Sequence, residues 1–492
     1  MGFPPGEPVV DTIGNERAER PADDNYFYVK SVSQLEVCKA WKGLRRKLSK
    51  RCDTCGISKF FLDKIILMPA YLLLITTFVN LCFEKGEVPD MLKVARVVPI
   101  PKKSGAILPS DFRPISLTSI LLLLLEKIYY NKLVGFLEKH KIMSPSQFGC
   151  RKHHSTELAM ITATDYIRKL IDSGLIAVIV SIDLRKAFDS VKRGKLLRKL
   201  LKKYKISDYW LRSYLANRKQ FVEVNGKQSE IRDVLIGVPA GSILGPILFA
   251  LYVNDLPDSV KSGITVMFVD DSNLVFGGHP SKLGELELKI NADMRNVCSF
   301  LEESSLVINS DKTKMLTVSS SRRCSLLDNF CFDLNGFKVE NSSTLKCLGI
   351  TLDRKLNFRT HMDNVARLCY ARMRALYTIR AYLNEDQLRI LSQSLVYSMI
   401  NYMVVVYGVT SAVHLKVLKR VVRTLARLVF SLRKYDKVSK KMYEELEWLV
   451  PQELCQFNSL CVMFKLSKET KVDAFNEYFV EKPTHGRDTR NN

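Results

Sequence analysis

The chain has 492 residues, of which 47% are hydrophobic and 26% charged, a composition that suits two or three folded domains and excludes a largely disordered protein. Its 75 Lys and Arg outnumber 51 Asp and Glu, and the net charge of +24 is spread along the sequence. This excess favours a polyanionic partner such as nucleic acid, although a merely soluble basic protein would show it too.

Cysteine spacing argues against a zinc-finger protein, and hydropathy argues against a membrane protein. The twelve cysteines are irregularly spaced, and the pair Cys52 and Cys55 has no second Cys or His pair at zinc-finger distance, so a reduced intracellular protein is expected. The apolar run at residues 65–83 is interrupted by Pro69 and Asn80, and residues 120–125 are too few to span a bilayer. Both runs predict buried helices and no membrane role.

The first part of the chain precedes any recognisable site. Residues 1–50 form a poorly ordered or helical extension by composition, and residues 60–84 predict one or two helices. A strand at residues 94–101 then runs into Lys102 and Lys103, and Arg113 follows after a loop. These residue types can grip a triphosphate, but a solvated basic loop accounts for them equally well.

An acidic residue ends the most apolar stretch of the chain. Residues 175–182 predict a strand buried on both faces, and Asp183 follows it directly. A carboxylate there is costly to bury without a cation or hydrogen-bond donors. Phe188 comes five residues later, and a basic helix is expected at residues 192–204.

A loop of small residues lies between this acid and the next acidic motif. Residues 237–246 read Gly-Val-Pro-Ala-Gly-Ser-Ile-Leu-Gly-Pro and lead into an apolar helix. Gly241 and Ser242 at the helix start would let a base or sugar approach the backbone closely, although such helix entries are common.

Two adjacent carboxylates lie between short runs of β-branched and aromatic residues at 264–276. The pattern predicts a hairpin with Asp270 and Asp271 at its tip. Converging carboxylates repel unless a cation lies between them, and Mg²⁺ takes oxygen ligands, whereas a plain polar turn needs no metal. With Asp183, these acids form the framework of two-metal phosphoryl transfer.

The remaining chain adds a lysine, a hairpin and a helical region. After a helix beginning near Leu283, Lys312 lies in a loop entering a strand, where it would neutralise a leaving pyrophosphate or simply face solvent. A hairpin or strand is expected around Gly349. Residues 357–449 are helical and rich in Arg and Lys, as expected of a bundle that lies along a duplex backbone.

The order of these elements resembles the reverse transcriptases of non-LTR (LINE-type) retrotransposons, of the kind common in arthropods. The resemblance runs from about Cys52 to about Leu376 and rests on a series of motifs in order. These motifs are P-I-P-K-K, D-F-R-P-I-S, S-Q-F-G-C-R-K-H-H-S-T, S-I-D-L-R-K-A-F-D-S-V, G-V-P-A-G-S-I-L-G-P, F-V-D-D, N-S-D-K-T-K and L-G-I-T-L-D.

The resemblance implies an α+β right-hand polymerase with fingers, a palm built on an antiparallel sheet, and a helical thumb. It places the reverse transcriptase domain at residues 51–353 and a thumb-like region at 354–450, with a tail at 451–492. The activity implied is RNA-directed DNA synthesis, with an RNA template, a DNA primer, dNTPs and two Mg²⁺ ions, or Mn²⁺ in their place.

The resemblance also implies residue roles. Asp183, Asp270 and Asp271 match the acidic positions, with Asp183 and Asp270 as the principal metal ligands. Phe188 matches the residue that excludes a 2′-hydroxyl. The other matches are the triphosphate-binding Lys102 or Lys103 with Arg113, the nucleotide loop with Gly241 and Ser242, the pyrophosphate-side Lys312, and the primer-bracing turn Leu348 and Gly349.

Three departures from the family pattern bear on activity. Ala240 stands where the family usually has Gln, Cys150 replaces an aromatic residue, and only about fifty residues precede the resemblance, too few for an endonuclease domain. We therefore expect a part of a longer reading frame. The resemblance implies action in the nucleus, because target-primed synthesis happens on chromosomal DNA. A catalytically inactive nucleic-acid-binding remnant is the alternative, and a two-metal nuclease leaves Phe188 and Lys312 without a role.

Overall fold

The computed structural model describes residues 25–44, 52–102, 104–320 and 327–468, together with positions 472 and 475. Lys103, most of the predicted N-terminal extension and most of the tail beyond residue 468 lie outside the described residues. The chain divides into two compact units. The first comprises Met1–Lys152, Asp183–Ser259 and Asn296–Asn309, and the second comprises His153–Ile182, Val260–Arg295 and Ser310–Asn492.

The first unit combines helices with a mixed sheet. Its helices are α1 (Gln34–Leu44), α2 (Lys59–Ile65), α3 (Pro69–Glu84), α4 (Ile120–Lys139), α6 (Arg193–Tyr204), α7 (Tyr209–Leu215) and α8 (Gly245–Tyr252). Its strands are β1 (Val94–Pro101), β2 (Phe112–Leu117), β4 (Lys219–Val224), β5 (Lys227–Gln228) and β6 (Arg232–Asp233). β1 pairs antiparallel with β2 and parallel with β4.

The second unit contains the main antiparallel sheet. Its strands are β3 (Ile176–Ile182), β7 (Gly263–Phe268), β8 (Asp271–Gly278) and β9 (Lys314–Val318), in the order β7-β8-β3-β9. Two separate hairpins follow, β10 (Cys331–Leu334) with β11 (Phe337–Glu340), and β12 (Thr344–Cys347) with β13 (Ile350–Asp353). The central strand β3 is buried on both faces, as its unbroken apolar sequence predicts.

Helices make up the rest of the second unit. They are α5 (Thr156–Asp172), α10 (Arg359–Ile379), α11 (Glu385–Ser392), α12 (Ser398–Asn401), α13 (Val404–Tyr407), α14 (Ala412–Val429), α15 (Ser439–Glu444) and α16 (Pro451–Lys468), while α9 (Leu283–Glu303) crosses from this unit into the first. One continuous hydrophobic core includes residues of β3, β8, β12, α10 and α14. The predicted α+β class with an antiparallel sheet is confirmed.

Local capping explains where several helices begin. The Ser58 hydroxyl accepts from the backbone N–H of Phe61, and Ser155 does the same for Leu158 at the start of α5. α4 is capped from a distance, because Oδ2 of Asp53 accepts from the N–H of Ile120 at 2.7 Å. The Cys52–Cys55 segment thus contributes a cap through its Asp.

The two apolar runs behave differently. Residues 120–125 are mostly buried in α4, as predicted, whereas α3 buries Val79 and Phe83 but exposes Leu73 and Leu74. Among the described helices, none is by itself long and apolar enough to cross a membrane. α2 and α3 together pass that test of length and composition, but they are bent by 111° at the break between them.

Candidate active site

The acidic hairpin has the predicted form. Phe268 pairs with Asp271, so Val269 and Asp270 form a two-residue turn between β7 and β8. Val269 has a φ of +61°, a region that β-branched residues rarely adopt. Asp270 is half-buried and Asp271 is exposed. The turn therefore holds strain of about 1–3 kcal/mol at the position that presents the two acids.

The same end of this sheet receives the end of β3 and the beginning of β9. Ile182 pairs with Ser272, the neighbour of Asp271, and Ser181 pairs with Lys314. Asp183 is the next residue in the chain after Ile182, and Lys312 lies in the loop just before β9. Strand register therefore brings the loop with Lys312 to the end of the sheet that carries the Asp270 turn.

In the first unit, Asp183 is held by Asn309. Its Oδ2 accepts a hydrogen bond of 2.9 Å from the side-chain amide of Asn309, and its carbonyl accepts one of 2.8 Å from the Asn309 N–H. The adjacent Leu184 bridges to Ile308, and Arg185 N–H donates to the Val307 carbonyl. Residues 307–309 thus fix both the backbone and the carboxylate of Asp183.

Phe188 is attached to the loop of small residues. Its carbonyl accepts from the N–H of Val238 at 2.9 Å, and its ring centroid lies 5.1 Å from that of Phe249 in α8. The ring is half-buried, so it rests on α8 while part of it stays accessible. This arrangement gives the predicted gate residue a defined position within the first unit.

The loop at residues 234–244, which we call the nucleotide loop, is held at its start by Arg193. The buried guanidinium of Arg193 donates to the carbonyls of Val234, Ile236 and Gly237 at 2.7 to 3.2 Å. Gly237 has a φ of +84°, and a Cβ there would lie 2.8 Å from the Cα of Asp189. Only glycine fits this approach.

The other end of the nucleotide loop is held by Glu126, a fully buried carboxylate on α4. Oε2 accepts from the N–H of Ile243 at 2.6 Å, and Oε1 accepts from the hydroxyl of Tyr214 at 2.9 Å. Burial raises the pKa of Glu126, and the nearby charge of Arg218 and the backbone N–H groups oppose that rise. Burying an acid costs free energy unless it is hydrogen-bonded, so these partners offset the cost of placing Glu126 in the core.

The middle of the nucleotide loop packs on β2. The Ala240 carbonyl accepts from the Ser116 N–H at 3.0 Å, and Gly241, with a φ of +104°, has no room for a Cβ beside the Ser116 carbonyl. The hydroxyl of Ser242 is buried, donates to the Pro239 carbonyl and accepts from the Gly245 N–H, both at 2.8 Å. Its side chain therefore shapes the helix entry, while the backbone of Gly241 is exposed.

The described residues of the predicted triphosphate grip lie on one hairpin of the first unit. Arg113 on β2 pairs with Ile100 on β1 and is exposed. Lys102 follows β1 and is also exposed, and its Nζ donates to the Ser110 carbonyl at 2.8 Å. Lys103 lies outside the described residues. β2 thus connects Arg113 to the nucleotide loop through Ser116.

The predicted primer-bracing turn joins β12 and β13. Leu348 and Gly349 have φ values of +45° and +89°, as expected for the turn type that joins two-residue hairpins. The Tyr402 hydroxyl donates to the Leu348 carbonyl at 2.7 Å, and a Cβ on Gly349 would lie 3.1 Å from the Tyr402 ring. Tyr402 therefore supports the turn from the helical region.

A buried thiol connects this hairpin to the acidic strand. Sγ of Cys347 on β12 donates to Oδ1 of Asn273 on β8 at 3.3 Å, two residues beyond Asp271. Burial raises the pKa of Cys347 to about 12, and the nearby Asp271 charge adds to the rise. The thiol is therefore a neutral donor that holds the hairpin against β8.

The donor set suits a hard cation, although no ready-made cage is found. Among the described residues, no group of three or more His, Cys, Asp and Glu side chains is placed to hold a metal ion. Mg²⁺ is commonly bound by one or two carboxylates together with substrate phosphates. The carboxylates of Asp183, Asp270 and Asp271 fit that mode by their chemistry.

Comparison with known families decides the class of protein. A family described as "Reverse transcriptase (RNA-dependent DNA polymerase)" matches residues 100–352, slightly more than half of the chain. The chain belongs to the reverse transcriptase family. The match begins near the end of β1 and ends within β13, so it includes Asp183, the acidic turn, the nucleotide loop and the Leu348-Gly349 turn.

Relatives of this reverse transcriptase come from insect mobile elements. It is 28% identical over 367 residues to "Probable RNA-directed DNA polymerase from transposon BS" of Drosophila melanogaster, covering 71% of this chain and 38% of that protein. It is 27% identical to "RNA-directed DNA polymerase from mobile element jockey" of the same species, covering 71% and 39%. The chain thus spans about two fifths of these relatives, and the predicted resemblance to non-LTR reverse transcriptases is confirmed.

Four residues that position the site of this reverse transcriptase were missed by sequence reasoning. Glu126 could have been found, because it is a lone acid in the apolar run of α4, and Asn309 begins the N-S-D-K-T-K motif. Arg193 and Tyr402 carried no sequence signal that distinguishes them from other basic and aromatic residues. The roles assigned to all the site residues, including the three acids, stay predictions.

Proposed function

We propose that this chain is an RNA-directed DNA polymerase that adds deoxynucleotides to the 3′-hydroxyl of a DNA primer on an RNA template. Family membership supports the reaction class, and the relatives' printed activity is RNA-directed DNA polymerisation. The observation that carries the proposal is the Val269-Asp270 turn, at the end of the sheet where β3 runs into Asp183.

The acids have distinct roles in this proposal. Asp183 and Asp270 would hold two Mg²⁺ ions, or Mn²⁺, together with the triphosphate, and Asp271 would contribute less directly. When bound, these ions activate the primer hydroxyl and stabilise the leaving pyrophosphate. Asn309 orients the Asp183 carboxylate through its hydrogen bond, so that this ligand need not reorganise when nucleotide arrives.

The remaining residues bind and orient the nucleotide and primer. Lys102 or Lys103 and Arg113 would bind the triphosphate, the Gly241 backbone would approach the base or sugar, and Phe188 would exclude a 2′-hydroxyl. Lys312 would neutralise charge on the pyrophosphate, and the Leu348-Gly349 turn would brace the primer end. The clamped ends of the nucleotide loop support this assignment, because positioning requires a rigid backbone.

The proposed domains follow the same assignment. Residues 51–353 would provide fingers and palm, and residues 354–450 a thumb, with extensions at 1–50 and 451–492. The proposed boundary follows the last residue of β13 and precedes α10. We also propose nuclear action, because priming from a nicked chromosome requires access to chromosomal DNA.

The test is RNA-templated primer extension with purified protein, dNTPs and Mg²⁺, followed by sequencing of the product. The proposal predicts DNA complementary to the RNA, and no product when the divalent ion is removed by a chelator. A folded protein that binds the RNA–DNA hybrid but makes no product with Mg²⁺ or Mn²⁺ would overturn it.

A nucleic-acid-binding protein without polymerase activity is the second candidate, and Ala240 is the observation that favours it. Its methyl group cannot make the hydrogen bonds of the Gln that the resemblance implies here, while its carbonyl keeps the loop on β2. Ala240→Gln should raise the extension rate if this departure is damaging. Unchanged extension in that variant, beside an active wild type, would remove Ala240 as an argument for this candidate.

A further inference from the structure

One exposed face of α10 carries arginine and tyrosine in alternation. Arg367, Tyr370, Arg374 and Tyr377 are spaced by three and four, which places them on one side of α10, and Arg380 and Tyr382 follow in the short turn Arg380–Tyr382. We call this face the Arg–Tyr stripe, and its members are Arg367, Tyr370, Arg374, Tyr377, Arg380 and Tyr382. The opposite face of α10 is buried and includes Val365, Cys369 and Met373.

The tyrosines of the stripe are unusually open to solvent. Their exposed fractions are 43% for Tyr370, 66% for Tyr377 and 87% for Tyr382. Within the ranges that the structure describes, none of their hydroxyls makes a hydrogen bond. Rings as exposed as those of Tyr377 and Tyr382 bury little area in the fold, so folding alone does not account for them.

The charge of the stripe is positive and comes entirely from arginine. No acid and no lysine occur between Asp363 and Glu385, whereas four arginines do, three of them members of the stripe and the fourth Arg372. The guanidinium of Arg380 lies 5.3 Å from the ring centroid of Tyr377. Arginine stacks on flat rings and binds phosphate in bidentate fashion, and lysine does neither as well.

α14 provides a contrast within the same unit. Its basic residues Lys416, Lys419, Arg420 and Arg423 are also spaced by three and four, but no aromatic residue lies among them. They line a cavity of about 380 Å³ with Val450 and Pro451 at the start of α16. A purely cationic face can bind phosphates of any nucleic acid, whereas the Arg–Tyr stripe offers flat rings in addition.

We propose that the Arg–Tyr stripe binds single-stranded RNA, with bases stacked on the tyrosines and phosphates bound by the arginines. A duplex keeps its bases stacked inside, so it cannot use exposed rings in this way. Tyr and Arg also occur at protein interfaces, but three stripe arginines within an acid-free segment, in a chain of net charge +24, favour a polyanion. The inference rests on the proposed polymerase function for naming RNA as the strand.

The test measures binding of a labelled oligouridine and of an oligouridine–oligoadenine duplex by fluorescence anisotropy, without dNTPs or Mg²⁺. Tyr370→Ala with Tyr377→Ala should weaken single-strand binding by about tenfold or more, while duplex binding changes by less than about twofold. Tyr370→Phe with Tyr377→Phe keeps both rings and should bind like wild type. Arg374→Gln should lower the salt slope of single-strand binding by about one, and the tyrosine variants should leave it unchanged.

Controls separate base stacking on the stripe from misfolding and from a general loss of charge. Tyr435→Ala removes an 86% exposed tyrosine outside the stripe and should change neither affinity. Thermal melting verifies that each variant is folded, as expected for exposed positions. The proposal would be overturned if the Phe and Ala pairs lost affinity equally, if duplex and single-strand affinity fell equally, or if the Ala pair lost no affinity. It would also be overturned if the wild type were a dimer that the Ala pair dissociates.

The assay also distinguishes this inference from the proposed function. Stacking-dependent RNA binding by a protein that fails to extend primers would sink the polymerase proposal alone. Normal primer extension with unaltered RNA binding in the Ala pair would sink the stripe proposal alone.

Discussion

The side-chain amide of Asn309 donates a 2.9 Å hydrogen bond to Oδ2 of Asp183, across a separation of 126 residues in the chain. The backbone N–H of Asn309 also donates to the Asp183 carbonyl at 2.8 Å. Two bonds from one residue fix both the position and the rotamer of the acid. Asn309 therefore orients the proposed metal ligand.

Removing that amide should impair chemistry more than binding. Asn309→Ala should lower the rate of single-nucleotide incorporation by about 10- to 100-fold and raise the Mg²⁺ concentration needed for half-maximal rate. Affinity for the RNA–DNA hybrid should stay unchanged. Asn309→Asp is the matched control of equal size, and it should be at least as damaging because it places a second carboxylate beside Asp183. Wild-type activity in the Asp variant would rule out a role for the amide donor.

Glu126 should control the nucleotide loop. Glu126→Ala leaves the Ile243 N–H and the Tyr214 hydroxyl without this acceptor, and it should reduce the free energy of unfolding by about 2–5 kcal/mol. Glu126→Gln keeps the shape and one acceptor oxygen, so it should stay folded. In that variant the KM for dNTP should rise by a larger factor than kcat falls, because a displaced nucleotide loop weakens nucleotide binding. An unchanged KM in a folded Gln variant would contradict the positioning role.

Phe188 should govern sugar selection. Phe188→Ala removes the half-buried ring that rests on Phe249, and discrimination against ribonucleotides should fall by about tenfold or more. Phe188→Tyr keeps the ring and should retain selection. The measurement is kcat/KM for one rNTP and its matching dNTP on the same primer and template. Equal discrimination in wild type and the Ala variant would remove Phe188 from the gate.

Because His361 is buried, we expect the stability of the second unit to fall at acidic pH. Burial lowers its pKa from 6.5 to about 4, and its Nδ1 accepts from the Thr351 N–H on β13. The unfolded chain binds a proton more readily, so stability from the neutral ring is present above pH 6.5 and is lost as pH falls toward about 4. The loss should reach about 3 kcal/mol at most. The measurement is the free energy of unfolding in urea for wild type and His361→Phe across that pH range. The same pH dependence in both proteins would contradict the prediction.

The local sequence pattern was sufficient to predict the strands that carry the three acids. The runs of β-branched and aromatic residues around Asp270 predicted β7 and β8, and the apolar run before Asp183 predicted β3, because such runs are typical of buried strands. The hairpin around Gly349 is confirmed for the same reason. Family motifs then placed roles on these positions that periodicity alone could not.

Long-range partners could not be read from local pattern. Glu126 and Ile243 are 117 residues apart, and nothing in either segment specifies the other. The parallel pairing of Val94 with Lys219 was equally invisible. Sequence alone also could not show what the Ser242 side chain does. Its hydroxyl bonds the Pro239 carbonyl and the Gly245 N–H and so shapes the entry to α8. The exposed side of α3 shows that an apolar run reveals hydrophobicity but not which face is covered.

The sharpest test of the proposed mechanism is the single-turnover rate of dNTP incorporation by wild type, Asp183→Asn and Asp270→Asn, with hybrid affinity measured on the same preparations. The mechanism predicts incorporation by wild type only, with hybrid binding nearly equal in all three proteins, because an amide keeps the shape of the acid but loses its charge. Incorporation by either variant at a rate close to wild type would contradict the assignment of these acids to the chemistry.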